Sequence, residues 1–268
     1  MHIHFLDPYQ PRPSLVHRLD PRVKFVLTLA FILATALTPP GAWPIYILLF
    51  SLVLSLEVLS ELGVGAVLRR SSLALPFVLA ALPVIVTVKG LPLLSLPIGP
   101  WTLTVTLEGV ERFASVAAKS WLSAQMAIVL AASTPFPDLL LAMRAIKIPR
   151  LLVAIIGLMW RYLFVLVDEA LRLMRARQAR SGHPATPGTR AGGSIAWRAR
   201  VTGGMAGNLF VRSFDRADRI YAAMASRGYD GEVRAFAIPP ITLAQWSVLG
   251  AGIMVLILLV VGGYLFWG

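Results

Sequence analysis

Apolar runs broken by proline, glycine and clustered arginine set the frame of this chain. No charge occurs between Phe25 and Leu56, and that run is interrupted once, at Thr38-Pro39-Pro40-Gly41. Proline lacks an N–H donor and glycine favours turns, so the run predicts a hairpin of two helices over 23–38 and 43–62. A second uncharged run between Arg70 and Lys89 predicts a third helix over 71–88. Residues 90–107 hold three prolines and two glycines ahead of alternating threonine and apolar positions, which predicts an extracytoplasmic loop or short hairpin. A fourth helix is expected over 108–133, and 241–267 is the clearest span of all, within a stretch that carries no charge after Arg234. The last two reach the roughly 20 residues that cross a bilayer, and the first two are short without their flanks.

Composition agrees with the pattern. The chain has 268 residues, 57% hydrophobic and 14% charged, with a mean hydropathy of +0.74. A soluble domain carries about a quarter charged residues, so a single water-soluble globule is excluded. A net charge of +12 suits nucleic acid or a membrane surface, and the hydropathy selects the membrane. The absence of cysteine excludes a disulfide framework, a thiol nucleophile and a thiolate metal site. Residues 1–24 contain Asp7 and Asp20 and no apolar core, so they do not read as a cleavable signal peptide.

Cytoplasmic flanks carry Lys and Arg in excess. Arg18, Arg22 and Lys24 precede the first helix, and Arg69 and Arg70 follow the second, so both ends are expected inside with Pro39-Pro40 outside. The third helix then exits and the fourth returns to Arg144, Lys147 and Arg150. Leu151–Val167 is apolar enough to read as a further span. If it crossed, residues 172–234, with twelve Arg against four acids, would lie outside, against the positive-inside rule. Arg161 at its centre would also cost about 2.5–3.5 kcal/mol in the membrane. The stretch is therefore expected in or under the cytoplasmic interface. The resulting fold class is an all-α integral membrane protein with about five transmembrane helices. Residues 1–133 hold an N-terminal arm and four spans, 134–237 a cytosolic helical coupling domain, and 238–268 the last span.

Two amphipathic helices are expected in that domain. Met159, Leu163, Leu166, Ala170 and Leu173 recur at helical spacing in one, and Phe210, Phe214, Ala217, Tyr221 and Met224 in the other. Such a stripe is a packing seam, toward the other helix or toward a partner. Asp168 with Arg172 and Asp215 with Arg219 add support at i,i+4. Both helices end alike, at Ala179-Arg180-Ser181-Gly182 and Ser226-Arg227-Gly228-Tyr229. Each ending alone reads as an ordinary C-terminus, with glycine for the left-handed residue and arginine facing the dipole. Its repetition reads as a pair of docking tips for a partner with two equivalent grooves.

The stretch from Phe210-Val211-Arg212-Ser213-Phe214-Asp215-Arg216-Ala217-Asp218-Arg219 to Ser226-Arg227-Gly228-Tyr229-Asp230-Gly231 resembles a signature of the transmembrane (T) component of energy-coupling factor importers of the ATP-binding-cassette class. Arg175-Ala176-Arg177-Gln178-Ala179-Arg180-Ser181-Gly182 resembles the companion signature, and His17-Arg18-Leu19-Asp20-Pro21-Arg22-Val23-Lys24 resembles the entry to the first helix. Gly207-Asn208-Leu209-Phe210 and Arg212 look most like the cobalt-transport, CbiQ-like branch. Members of that family usually show Ala-Arg-Gly or a close variant at both tips; here the tips read Ala179-Arg180-Ser181 and Ser226-Arg227-Gly228, with the arginine kept.

The resemblance implies a non-catalytic subunit of a bacterial inner-membrane transporter, multi-pass, with a cytoplasmic N-terminus. Arg180 and Arg227 would dock in two ATPase subunits by charge-assisted hydrogen bonds. A small substrate-capture membrane (S) subunit, for cobalt ion, would pack on the chain. The chain would hold no cofactor of its own, ATP and Mg²⁺ being bound by the ATPases, and would bind membrane lipid but no nucleic acid. A T component serving nickel, biotin or another vitamin is an alternative.

Other chemistry is thin. None of Lys24, Lys89, Lys119 and Lys147 follows glycine, so there is no Walker A loop. No His-Glu-x-x-His pattern or nucleophile elbow occurs. His2 and His4 form a possible metal pair on the N-terminal arm, without the fixed geometry that selects a transition metal. Glu57/Glu61 and Glu108/Glu111 share helix faces near membrane ends, where capping or snorkelling is the default and a functional contact at Glu57 the alternative. A membrane enzyme acting on lipid phosphates would need metal-binding acids; Asp215/Asp218 is the nearest pair, flanked by arginines. A non-catalytic lipid-binding scaffold is the third reading, in which the repeated tips are coincidence.

Overall fold

The computed structural model describes residues 8–98, 101–180, 194–231 and 240–267. The chain divides into two compact units, 2–145 with 238–268, and 146–237.

In the first unit a short helix, α1 (Leu15–Arg18), leads to α2 (Pro21–Leu37). Asp20 caps α2 by accepting from the Arg22 amide at 2.8 Å, and Pro21 takes the first position, where a missing N–H leaves no bond unmade. Thr38 closes the helix by donating to Ala34 O at 2.9 Å. Gly41, at φ +85°, then turns the chain into α3 (Trp43–Leu59). The Tyr46 hydroxyl donates back to Pro39 O at 3.0 Å and fixes the hairpin.

The following segment departs from the sequence expectation. In place of one helix over 71–88, α4 (Val64–Ser71) leads through a 3₁₀ turn, Ser72–Ala74, into α5 (Leu75–Leu79) and α6 (Val84–Thr87). The cause is proline: Pro83 has no N–H for the Leu79 carbonyl, and around it the bonds tighten to i→i−3, as in Leu82 N to Leu79 O at 3.1 Å and Val84 N to Ala81 O at 3.0 Å. Residues 92–98 and 101–106 pair as an antiparallel hairpin, β1 and β2, with Ile98 opposite Trp101. The expectation of a short hairpin there holds.

α7 (Leu107–Ser133) is the central helix, capped by Thr106, whose hydroxyl accepts from Gly109 N at 3.1 Å. It runs antiparallel to α2, and a lysine ties each end. Lys24 Nζ donates to Ser133 O at 2.9 Å, and Lys119 Nζ to Ala36 O at 3.0 Å. Both acceptors belong to last-turn carbonyls that a helix leaves unpaired, so each ammonium meets the negative end of a helix dipole. The broken segment α4–α6 also lies along α7: Trp121 Nε1 donates to Ser71 Oγ at 3.0 Å near one end, and Gly109 approaches the Ile85 carbonyl near the other. α8 (Phe136–Ala145), which the sequence put in the cytosolic block, packs on α2 in this unit.

α11 (Leu243–Trp267) lies against α2, so close that a Cβ at Gly252 would sit 2.6 Å from Leu27 Cδ2. Phe31, Leu49, Val53, Leu122, Met126 and Leu256 fill the space shared by α2, α3, α7 and α11. In lipid such a core is held by packing and small-residue approach rather than by exclusion of water.

The second unit contains α9 (Arg150–Arg180) and α10 (Ile195–Ala225). Among the described residues, α7, α9 and α11 are long and apolar enough to cross a membrane, and α3 is apolar but shorter. The protein is thus a helical, multi-pass membrane protein. By length and composition alone α9 qualifies as a span; the arginine distribution that argues against a crossing is a separate constraint.

Candidate functional site

The second unit carries the residues singled out by the sequence. α10 starts at Ser194, whose hydroxyl accepts from Trp197 N at 3.2 Å. It finishes in a Schellman closure: Gly228 adopts φ +76°, Tyr229 N donates to Met224 O at 3.1 Å, and Gly228 N donates to Ala225 O at 3.0 Å. The second tip is therefore a tightly capped helix end on which Ser226, Arg227 and Gly228 are all exposed. At the first tip Ala179 and Arg180 are exposed on the last turn of α9, while Ser181 and Gly182 lie outside the described residues. Neither Arg180 nor Arg227 forms an ion pair with an acid among the described residues.

α9 and α10 run antiparallel, and a polar ladder sets their register. Arg212 donates to Glu169 Oε1 at 3.0 Å, Arg216 stands 4.0 Å from Glu169 Oε2, and Arg177 donates to Thr202 Oγ1 at 3.0 Å. Arg212 is further held by Asn208, whose Oδ1 accepts from its Nε at 2.9 Å. The ladder has a consequence for the tips. Arg180 lies on one side of the Glu169–Arg212 tie and Arg227 on the other, so at about 1.5 Å per residue they are separated by up to about 40 Å along the pair.

On α10 the seam is offset from most of the apolar stripe, and the two coincide at Met224. The half-buried positions of α10 are Arg198, Val201, Met205, Leu209, Ser213, Arg216, Ile220 and Met224. Phe210, Phe214 and Tyr221 lie one position round the helix and are 65%, 61% and 65% exposed. On α9, Met159 is 65% and Leu163 39% exposed, whereas Leu166, Ala170 and Leu173 are half-buried. Phe210 and Phe214 pack with ring centroids 5.4 Å apart and planes tilted by 53°, forming an aromatic ridge that faces outward. Sequence reasoning missed Glu169 and Thr202, and it named Asn208 for the resemblance without its bond to Arg212. The available signal was Glu169, an acid interrupting the apolar face between Leu166 and Leu173.

The N-terminal signature is an ordered element of the first unit. The His17 Nε2 donates to Gln10 O at 2.9 Å, which leaves Nδ1 to accept from the Ser14 hydroxyl at 2.6 Å. Burial pushes this imidazole below its ordinary value, outweighing the Gln10 carbonyl that favours the charged form. Arg22 grips Asp20 with two nitrogens, at 3.0 and 2.8 Å, and these hydrogen bonds hold the Asp20 carboxyl below its usual range. Gln10 N donates to Ala132 O at 2.9 Å, fastening the arm to the end of α7.

The other candidates fall elsewhere. Glu57 is 1% exposed inside the first unit, and neither of its carboxylate oxygens finds a hydrogen-bond partner among the described residues. Glu108 accepts from Leu91 N at 2.9 Å, a structural role at the start of α7, and Glu111 lies beside Gly41. His2 and His4 lie outside the described residues, among which no three His, Cys, Asp or Glu side chains converge as a metal site.

Comparison with known proteins agrees with these features. A family model described as cobalt transport protein, CbiQ, matches residues 13–238. The cobalt transport protein CbiQ of Salmonella typhimurium is 29% identical over 226 residues, 79% of this chain and 91% of that protein. The Rhodobacter capsulatus protein of the same name is 29% identical over 184 residues, 65% of this chain and 72% of its own length. The energy-coupling factor transporter transmembrane protein EcfT of Lactococcus lactis is 28% identical over 238 residues, 83% of each chain.

Proposed function

The chain belongs to the CbiQ family of cobalt transport proteins and is the transmembrane component of an energy-coupling factor transporter; from that premise we propose that it transmits ATP-driven motion of two cytosolic ATPases to a small membrane subunit that captures Co²⁺. The observation that carries the reading is the placement of Arg180 and Arg227. Two exposed arginines, unpaired among the described residues, stand at opposite ends of one antiparallel helix pair whose register Glu169 fixes. A pair of ATPases that approach and separate during their cycle grips both ends of such a lever. The helices convert that approach into rotation or tilt of whatever rests between.

The aromatic ridge of Phe210, Phe214 and Tyr221 supplies the resting surface. These side chains are exposed, apolar and absent from the internal seam, which supports contact with an apolar subunit. The chain itself does no chemistry in this scheme, and ATP and Mg²⁺ are bound by the ATPases. The arginine excess over 172–234 supports a cytoplasmic second unit, with the apolar start of α9 in the interface and the N-terminus inside, in a bacterial inner membrane.

Purification of the tagged protein from its native membrane in mild detergent, followed by mass spectrometry, tests the assignment. Recovery of ATP-binding-cassette subunits with a small hydrophobic capture protein is the expected result. Recovery of the chain alone, under conditions that keep other membrane complexes whole, contradicts it.

A further inference from the structure

A cleft of about 450 Å³ opens between α9 and α10 beside the first tip. Leu173 and Met205 give it an apolar floor, Arg177, Arg180 and Asn208 its polar rim, and Trp197, 45% exposed, stands at its side. No carboxylate lines it among the described residues: Glu169 is engaged with Arg212 and Arg216 farther along the pair. Arg177 is oriented by its bond to Thr202 and keeps further N–H donors for an incoming group. The second tip differs. There Arg227 follows the last turn of α10 on a closed Schellman turn, and a Cβ built on Gly228 meets nothing within 4 Å.

We infer that the cleft receives an acidic side chain and an adjoining apolar one from the ATPase that docks on Arg180, so that the two tips are unequal. The inference rests on the coupling reading and adds to it an insertion in the opposite direction, from ATPase into this chain, at one tip only. Three features select this occupant. The guanidinium groups of Arg177 and Arg180 have no acid beside them in the cleft, so an incoming carboxylate gains charge-assisted bonds. The floor of Leu173 and Met205 and the Trp197 face reward an apolar neighbour of that carboxylate, in the way interface anchors fill pockets. The cleft is also continuous with Arg180 itself, so a subunit that binds the tip covers it. The tip at Arg180 then holds its ATPase by contact and insertion, and the tip at Arg227 by contact alone.

Glycine offers a clean test. Gly204 lines the cleft and a Cβ there meets nothing within 4 Å, so Gly204→Leu starts from open space, projects into the cleft and favours the helix. Gly203 is equally open, does not line the cleft, and serves as the control, Gly203→Leu. Because the chain contains no cysteine, Ala179→Cys reports the first tip and Ser226→Cys the second by cross-linking to purified ATPase subunits in the full membrane complex. Gly204→Leu is expected to lower cross-linking at Ala179→Cys about tenfold, the scale of one lost anchor, and to spare Ser226→Cys. Trp197→Ala is expected to do the same, and Gly203→Leu to change neither. Equal cross-linking at Ala179→Cys in the Gly204→Leu and Gly203→Leu proteins, or an equal loss at both tips, overturns the inference. Absence of cross-linking at either tip in the otherwise unaltered chain overturns the coupling reading and the inference with it.

Discussion

Arg212 donates to Glu169 at 3.0 Å and is itself held by Asn208, and this contact sets how the two longest helices of the second unit pass each other. Arg212 is 54% exposed, so the pair contributes only about 1 kcal/mol or less to stability. Its weight is in register. Glu169→Gln keeps the shape and removes the charge that Arg212 and Arg216 share. Spin labels at 179 and 226 are expected to give one narrow distance in the parent protein and a broader one in Glu169→Gln, with little change in unfolding. An unchanged distribution would assign the register to the apolar seam alone.

The aromatic ridge separates stability from assembly. Phe210 and Phe214 are exposed, so Phe210→Ala with Phe214→Ala is expected to leave unfolding within about 0.5 kcal/mol of the parent. Co-purification of the small capture subunit is expected to fall at least about tenfold, as when hot-spot aromatics are truncated. A large loss of stability would place the ridge in a structural core instead.

Lys24 and Lys119 differ in what they leave behind. Lys24 is 7% exposed and bonds Ser133 O, so Lys24→Met strands a buried carbonyl at a cost of about 1–3 kcal/mol. Lys119 is less buried and its loss is expected to cost less, because water can reach the Ala36 carbonyl. Thermal unfolding in one detergent ranks the two; the reverse order would contradict the described burial.

Acid should loosen the N-terminal element in two steps. His17 is held neutral below its ordinary value of 6.5, so the unfolded arm takes up the proton first, and the His17 contribution, complete above about pH 6.5, declines as pH falls through its folded value. Asp20 is held below 3.8, so its contribution is present above that value and is lost as pH falls further. Hydrogen exchange over residues 10–20 is expected to rise in both windows, and His17→Gln to remove only the upper one. A single step in the parent protein would contradict the assignment.

Much of the membrane unit was legible because its cues are local. Asp20-Pro21 announces the start of α2, and Pro39-Pro40-Gly41 the hairpin that Tyr46 closes. The third helix was misread because hydropathy ignores the N–H that Pro83 lacks. The apolar stripe of α10 leaves open whether its own chain or a partner covers it, and in the structure Met224 joins the seam while Phe210, Phe214 and Tyr221 stay exposed. Lys24 counts toward the positive-inside signal, yet its ammonium caps α7, a contact no local pattern reveals. Both arginine tips were visible as a repeat, and their placement at opposite ends appears only once Glu169 fixes the antiparallel register.

The central claim is that Arg180 and Arg227 carry the ATPases. ATP-driven Co²⁺ uptake into vesicles reconstituted with the complete complex, comparing the parent chain with Arg180→Glu/Arg227→Glu, tests it most directly. Loss of a charge paired at an interface costs about 2–5 kcal/mol, so the account predicts that the double variant inserts normally, retains the capture subunit, and loses ATPase association and uptake. Full uptake by the double reversal would contradict it.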